Sequence, residues 1–304
     1  MTMRKRVLAA VGILMVSAMM ISAQRRPGPT AAKTVIFAVL NDGKAIEPIG
    51  FIGAKGLMTP AIDGSSETPI LAAFHRTYFA KGKMFPLIFG GKVSGNVTVT
   101  SSDPRAECAN YLGNVATKTT RSALKGNVMA LATNARILKP GSGLRRLPTP
   151  AERAEIEALV RETFTKNSIS AEVAKNLKYH NLTVLDVNND GQAEMVGSFW
   201  VAPSTTEREV LFFIAELGSD KKYRFGYSES RRIKQDETMS EDIKDVDSGV
   251  YHERLLDIFD VDGDGNSEIF SYVMSFEGAG FNVYKRQGDG WVKHFEGSNY
   301  HCGY

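Results

Sequence analysis

Two short stretches of the sequence place oxygen-bearing side chains at alternate positions around a glycine. The first is DVNNDGQAE, residues 186–194, and the second is DVDGDGNSE, residues 260–268. Carboxylates this close repel one another unless a cation or open water lies among them. Alternate oxygens on a turn made tight by glycine suit Ca²⁺, which takes about six to eight oxygen ligands. The two stretches, which we call the first loop and the second loop, therefore predict two structural calcium sites.

Each loop offers a ligand at its positions 1, 3, 5, 7 and 9. In the first loop these residues are Asp186, Asn188, Asp190, Gln192 and Glu194. In the second loop they are Asp260, Asp262, Asp264, Asn266 and Glu268. Magnesium is a poorer match because it requires strict octahedral geometry and takes few ligands from the protein. The alternative for both loops is a solvated acidic turn that binds no ion.

An EF-hand is disfavoured for both loops. That motif requires a bidentate glutamate at position 12 of the loop and a helix on either side. The corresponding positions here hold Gly197 and Ser271, and the flanking segments LTVLD and EIFSYV have the composition of strands. The loops are therefore expected to join β-strands.

The sequence after each loop is repeated as well. An apolar strand, a polar turn and an aromatic strand follow in both cases, as EVLFFIAELGSDKKYRFGY and as FNVYKRQGDGWVKHFEG. Repetition on this scale is typical of stacked units that bury a shared core. The loops DVNNDGQAE and DVDGDGNSE resemble the calcium loops of FG-GAP or VCBS repeats, which build the propellers of integrin α-subunits and occur in many exported bacterial proteins. The resemblance covers residues 180–297 or so and implies β-propeller blades, with the two residue sets above as calcium ligands.

The remaining sequence predicts a mainly β protein with one helical connector. Apolar runs such as TVIFAVL, PILAAFHRTYF and MFPLIFGG alternate with glycine-rich turns, which favours short antiparallel strands. The connector helix is indicated by Thr149 as cap, Pro150 at the first helical position and Glu152 completing a capping box. Its apolar stripe at helical spacing is formed by Ile156, Leu159, Val160 and Phe164.

These elements predict an N-terminal β region at 34–148, a helical connector at 149–178 and two calcium-loop repeats at 179–304. The repeats are expected to be propeller-like antiparallel sheets that form a partial or small β-propeller. The N-terminal region would either supply degenerate blades or form a separate β domain against which the repeats pack. The acidic segment 234–249 between the repeats is expected to be a mobile surface loop.

The first residues have the order of a secretory signal peptide. The basic MTMRKR precedes an apolar run from Val7 to Met20 and the small residues before Gln24. We therefore predict a signal peptide over residues 1–23, followed by a flexible lead-in over 24–33. An uncleaved anchor is the alternative. The mature chain is expected in the periplasm or outside the cell, with no integral membrane segment.

Charge and cysteine content limit the choice of partners. Removal of the signal peptide changes the 37 basic and 34 acidic residues of the chain to 34 of each. This balance gives no reason to expect nucleic acid or an anionic membrane as a partner. Cys108 and Cys302 would both be exported, where a disulfide can form, but two separate buried thiols are equally compatible with the sequence.

The function expected from these features is binding or scaffolding at the cell envelope, with a protein or carbohydrate ligand and two structural Ca²⁺ ions. No catalytic motif is recognisable. The alternative is a secreted hydrolase of polysaccharide or lipid, whose active site would use Glu47, Asp63, Glu67, His75 and Asp103. Aromatic residues of the repeats could line a ligand face or fill the core, namely Phe199, Trp200, Tyr223, Phe225, Tyr284 and Trp291.

Overall fold

The N-terminal half of the chain forms a closed β-barrel. The computed structural model describes residues 32–56, 58–61, 68–119, 124–126, 128–137 and 139–302. The strands of this half are β1 (Thr34–Leu40), β2 (Ala45–Ile52), β3 (Met58–Pro60), β4 (Met84–Phe89), β5 (Lys92–Ser102), β6 (Gly113–Thr119) and β7 (Ala130–Thr133). They are hydrogen-bonded in the order β1-β7-β4-β5-β6-β2, and β1 also pairs with β2, which closes the ring. Strand β3 adds to β2 outside the ring.

The predicted signal peptide, residues 1–23, lies outside the described residues, as does most of the lead-in at 24–33. From Lys33 onward the chain forms one compact unit. None of the helices in the described part of the chain is long and apolar enough to cross a membrane.

Four α-helices accompany the strands in the part of the chain that the structure describes. They are α1 (Thr68–Tyr78), α2 (Pro150–Lys166), α3 (Ala171–Ala174) and α4 (Lys244–Ser248). The predicted connector helix is confirmed as α2, with Thr149 accepting from the Glu152 amide and Glu152 accepting from the Thr149 amide. Its buried residues Ile156, Val160 and Phe164 belong to the predicted stripe.

The strand predicted in PILAAFHRTYF is wrong, because this segment is helix α1. Leu71, Phe74 and Tyr78 are buried and recur at the spacing of a helix face, whereas Ile70 is 49% exposed. These buried side chains join those of the barrel interior in one apolar cluster. A strand would place Leu71 and Phe74 on opposite faces, whereas the helix directs both into the barrel interior.

The C-terminal half forms two antiparallel sheets. The first sheet contains β8 (Arg145–Arg146), β9 (Lys178–Leu185), β10 (Glu194–Val201), β11 (Glu207–Leu217) and β12 (Tyr223–Lys234). The second sheet contains β13 (Glu253–Phe259), β14 (Glu268–Met274), β15 (Gly278–Gln287) and β16 (Gly290–Tyr300). Strands β9 to β12 and β13 to β16 are each hydrogen-bonded to their sequence neighbours. The mainly β, antiparallel character predicted from the sequence is confirmed.

The layers pack face to face around separate apolar clusters. Helix α2 covers one face of the first sheet, and the other face packs on the second sheet through residues such as Phe212 and Tyr284. The second sheet in turn packs on the outside of the barrel through residues such as Phe270 and Phe281. Strand β1 is apolar from Val35 to Leu40 because its alternate side chains enter the barrel interior on one side and this interface on the other.

The acidic segment 234–249 differs from the mobile loop expected from its charge. It contains a short 3₁₀ turn at Gln235–Glu237 and helix α4. Ile243 and Val246 are buried against Trp200, Val210 and Ile233 of the first sheet. These apolar contacts fix a segment whose sequence is otherwise dominated by charge.

Cys108 and Cys302 form a disulfide bond, with their Cα atoms 5.1 Å apart. The bond joins the connection between β5 and β6 of the barrel to the end of the chain after β16. The pairing that the sequence left open is therefore present, and it ties the last strand of the second sheet to the barrel.

Candidate metal centre

Both predicted calcium loops are hairpin connections in their sheets. The first loop joins β9 to β10, and the second joins β13 to β14. Glu194 pairs with Leu185 across one ladder and Glu268 pairs with Phe259 across the other. The acid at position 9 therefore lies opposite the residue that precedes the aspartate at position 1. The hairpin register thus brings the two ends of each loop together.

The second loop brings its three aspartates to one point. One carboxylate oxygen from each of Asp260, Asp262 and Asp264 lies within 4.8 Å of the other two. Two oxygens that share a calcium ion at about 2.4 Å can be no more than about 4.8 Å apart, so this spacing permits a shared ion. The Asp260 carboxylate accepts from the amides of Gly263 at 2.7 Å and Gly265 at 2.9 Å, which folds the loop.

Glycine at position 6 of the second loop has a conformational reason. Gly265 has a φ of +102°, which L side chains rarely adopt. The turn that it permits directs the Asn266 amide to Asp264 Oδ1 at 2.7 Å. At the end of the loop, buried Glu268 accepts from the Val261 amide at 3.0 Å, and burial raises its pKa to about 7.

A lysine from the next strand lies among these carboxylates. Lys285 of β15 donates to Asp262, and its Nζ is 3.5 Å from Asp264 Oδ2 and 3.4 Å from Glu268 Oε1. Partial burial alone would lower the pKa of Lys285, but the bond to Asp262 and the surrounding carboxylates hold it above its ordinary value. The centre of the second loop is thus a cation site in which the ammonium group neutralises the mutual repulsion.

The first loop holds its residues together through amides. Asn188 Nδ2 donates to Asp190 Oδ2 at 3.0 Å, and the Gln192 amide donates to Asp190 Oδ1 at 2.7 Å. The trio of the second loop is the group of three acids with metal-compatible spacing among the described residues. The first loop does not form an equivalent trio, since Asn188 replaces one aspartate and Asp190 bonds to its amide.

The first loop nevertheless contains an unsatisfied buried oxygen. Asp186 is 4% exposed, and its Oδ1 has no hydrogen-bond partner in the part of the chain that the structure describes. Glu194 is equally buried and accepts from the Val187 amide at 2.9 Å. Burial, together with the charges of Asp190 and Asp186, raises the pKa of Glu194 to about 7. A buried carboxylate oxygen without a donor is unfavourable, and a divalent cation would satisfy it.

The two loops differ because of one position on the neighbouring strand. Met195 pairs with Ala215 and Ile269 pairs with Tyr284, so the next positions place Glu216 opposite Glu194 and Lys285 opposite Glu268. Glu216 is held by the second sheet, since it accepts from Trp291 Nε1 at 2.8 Å and from Arg286 at 3.3 Å. The first loop therefore has an acid where the second loop has its ammonium group.

The second loop also contacts the barrel. A Cβ added to Gly56, in the short 3₁₀ turn before β3, would lie 2.7 Å from Asp262 Cβ. Lys139, from the segment after β7, donates to the Asp264 carbonyl at 3.0 Å. The conformation of the second loop is thus coupled to the packing of the second sheet on the barrel.

The residues named for the alternative hydrolase do not meet in one opening among the described residues. Asp63 and Glu67 lie outside these residues. Glu47 is fully buried and bonds to Asn299 and His301, each at 2.9 Å. His75 is buried, and its ring nitrogens hydrogen-bond to Ser102 and to the Asn110 carbonyl. Burial lowers the pKa of His75, and the charge of Asp103 acts in the opposite direction. A depression of about 440 Å³ on the barrel is lined by other residues, including Asp42, Lys44 and Thr117.

The aromatic residues of the repeats belong mainly to the core. Phe199, Trp200, Tyr223, Tyr284 and Trp291 are all buried, and Phe225 packs against the same cluster as Phe199. Sequence reasoning did not identify Lys285 or Glu216 as part of the loops. An alignment of the two similar segments could have identified them. It places Glu216 and Lys285 at equivalent positions, just before the polar turn in each segment.

Comparison of the chain with protein-family models, with curated proteins and with solved structures finds no match.

Proposed function

We propose that this chain is an exported calcium-binding β-repeat protein with a binding or scaffolding role at the cell envelope or outside the cell. In this proposal the two sheets are propeller-like units, and each loop holds one structural Ca²⁺. The first loop would use Asp186, Asn188, Asp190, Gln192 and Glu194, and the second Asp260, Asp262, Asp264, Asn266 and Glu268. The export signal in residues 1–23 is part of the proposal.

The observation that carries the calcium proposal is the buried Asp186 Oδ1, which lacks a donor in the described residues. Glu194 lies in the same loop with a pKa raised by burial and by neighbouring carboxylates, as expected of a site that lacks its counter-charge. Oxygen ligands alone, from carboxylates and side-chain amides, are the donor set of a hard cation such as Ca²⁺. One ion would then bind carboxylate oxygens of both Asp186 and Glu194, at the two ends of the loop.

In the second loop the proposed ion competes with Lys285. The ammonium group already pairs with Asp262, Asp264 and Glu268, so Ca²⁺ would bind as Lys285 leaves for solvent. Lys285 is half-buried and lies near the surface, which gives its long side chain room to withdraw. The two proposed sites therefore differ in affinity, with the first loop binding more tightly than the second.

The proposed role of the ions is structural. Each would fix the turn between two strands of a sheet, and the second would also fix the contact of its loop with Gly56 and Lys139 of the barrel half. A metal ion that binds only the folded state stabilises it by mass action. Extracellular calcium modules have dissociation constants of about 10⁻⁴ to 10⁻³ M, so occupancy would follow the calcium of the surroundings.

Thermal unfolding tests this proposal. With a Kd of about 10⁻⁴ M, 5 mM Ca²⁺ should stabilise the fold by about 2 kcal/mol per site relative to chelator, which is several degrees in Tm. Magnesium at the same concentration should have a smaller effect. In Asp186→Asn, which disables the tighter of the two proposed sites, the calcium-dependent shift should fall by more than half.

The matched control is Asp220→Asn, in the exposed turn between β11 and β12 of the same sheet. Asp220 pairs there with Arg224 and takes no part in either loop. Its calcium response should equal that of the wild-type chain. A Tm that is the same in calcium and in chelator, for the wild-type protein, would overturn the proposal.

A further inference from the structure

A polar cleft lies between the two sheets, away from both loops. It has a volume of about 450 Å³ and is lined by strands β10 to β12 of the first sheet and β13 to β16 of the second. A second depression of about 460 Å³ continues from it, since Arg231, Tyr251 and Val273 line both. Volumes of this order are typical of sites for small organic ligands.

The cleft wall contains a carboxylate with an unusual environment. Glu253 Oε1 accepts from Ser271, from Asn282 at 3.0 Å and from Tyr284 at 2.8 Å. All three donors are neutral, and no basic side chain among the described residues forms an ion pair with Glu253. Burial raises the pKa of this carboxyl, against the opposing effect of the three bonds and the more distant charge of Lys293.

The other charges of the cleft leave one further group without a partner. Lys293 lies between two acids, with Nζ 3.7 Å from Glu229 Oε2 and 3.5 Å from Glu296 Oε2. Arg231 has no acidic partner in the described ranges, and its guanidinium lies over the Tyr251 ring at 5.7 Å. The cleft therefore presents one unpaired carboxylate and one unpaired guanidinium.

The Glu253 carboxylate is difficult to explain by stability alone, whereas exposed Arg231 keeps its guanidinium in solvent at the cleft. A desolvated carboxylate without a counter-charge destabilises the fold, and an ordinary core would place an apolar residue there. Titratable groups held in such environments on the wall of a cleft are typical of binding sites. The three donors fix Glu253 Oε1, so the carboxylate is preorganised for a ligand before it arrives.

We propose that this inter-sheet cleft binds a short zwitterionic peptide, whose N-terminal ammonium group bonds to Glu253 and whose C-terminal carboxylate bonds to Arg231. Capture of a free peptide terminus is a known mode of peptide recognition. The two unpaired groups require a ligand with both charges, which excludes a neutral saccharide. The continuous groove favours a peptide of two or more residues over a single amino acid, and Val210 and Phe212 supply apolar walls for its side chains.

The proposal is independent of the calcium sites, although it gives a ligand to the binding role proposed above. Isothermal titration calorimetry of the mature chain in saturating Ca²⁺ is the test, with trialanine as the probe. Trialanine should bind with a Kd below about 1 mM. N-acetyl-trialanine, which lacks the ammonium group, and trialanine amide, which lacks the carboxylate, should each bind at least tenfold more weakly.

Variants assign the two ends of the ligand. Glu253→Gln should weaken trialanine at least tenfold while leaving the already weak N-acetyl form unchanged. Arg231→Gln should also weaken trialanine at least tenfold while leaving the binding of trialanine amide unchanged. Arg231 is exposed, so the substitution should not disturb the fold. Arg232→Gln is the matched control, because Arg232 pairs with Glu209 outside the cleft and should not affect binding.

Three results with the peptides would overturn the proposal. They are the absence of trialanine binding, equal binding of the blocked and free peptides, and unchanged binding in Arg231→Gln. Binding of a neutral disaccharide in place of trialanine would also overturn it. The calcium response of Tm is measured separately in the same samples, so failure of the peptide proposal leaves the metal proposal to be judged on its own data.

Discussion

Lys285 is the residue that distinguishes the two loops chemically. Its ammonium group lies within 3.5 Å of carboxylate oxygens of Asp262, Asp264 and Glu268, where a shared metal ion would also lie. An ammonium group supplies one charge and three donors, whereas Ca²⁺ supplies two charges and takes six or more ligands. Calcium binding at the second loop therefore has to displace a favourable ion cluster, which lowers its apparent affinity.

Lys285→Met should reveal this competition. Without the ammonium group the second loop loses its internal counter-charge, so we expect its Ca²⁺ affinity to rise about tenfold, or about 1.4 kcal/mol. The affinity of the first loop should not change. Calcium titration followed by calorimetry resolves the two steps. Lys222→Met, at an exposed position in the first sheet, is the control, and identical two-step titrations in Lys285→Met and wild type would refute the competition.

The acidic and amide residues of the two loops could be predicted from the sequence, but the charged side chains that neighbour them could not. The residues of each loop lie within nine positions, at 186–194 and at 260–268, where spacing alone determines which side chains can converge. Lys285 and Glu216 arrive from a different strand, and their position depends on a hairpin register that the sequence does not state. Glu253 is a similar case, since its three donors come from β14 and β15.

At the scale of elements, a buried ion pair joins the two sheets and is hydrogen-bonded to the barrel. Asp257 of β13 is fully buried and bonds to Arg145 at 2.7 Å. Its carboxylate also accepts from the amides of Gly90 and Gly91, in the turn between β4 and β5. Arg145 in turn donates to the Met129 carbonyl at 2.9 Å. The pair thus connects strands from both sheets with two parts of the barrel.

Asp257→Asn should destabilise the fold strongly. The substitution leaves Arg145 buried without its counter-charge, and loss of one partner of such a pair decreases the free energy of unfolding by about 3–5 kcal/mol. Urea denaturation measures the change. The exposed pair in Asp220→Asn should show little effect, because solvent screens it. A similarly small effect for Asp257→Asn would show that the junction does not depend on this pair.

Local sequence signals identified some elements and missed others. The capping box at Thr149 and the 3.6-residue spacing after it determine α2 locally. In α1 the aromatic residues have high strand propensity, but the segment is helical because a helix buries them together in the barrel interior. The charge of 234–249 likewise hides Ile243 and Val246, whose burial depends on the neighbouring sheet.

At the largest scale, the unit that begins at Lys33 is a stack of layers. Helix α2, the first sheet, the second sheet and the barrel follow one another in that order, each burying an apolar face on the next. The repeats were recognisable because they resemble each other. The barrel was not, because closure depends on the pairing of β1 with both β2 and β7, and β7 is about a hundred residues away. The disulfide between Cys108 and Cys302 closes the stack at the end of the chain.

The number of calcium ions bound per chain tests the account most directly. Equilibrium dialysis of the protein against 5 mM Ca²⁺, followed by elemental analysis, should find close to two ions per chain, and close to one in Asp186→Asn. Fewer than one ion per wild-type chain at this concentration would contradict the account, because the account requires both loops to be occupied.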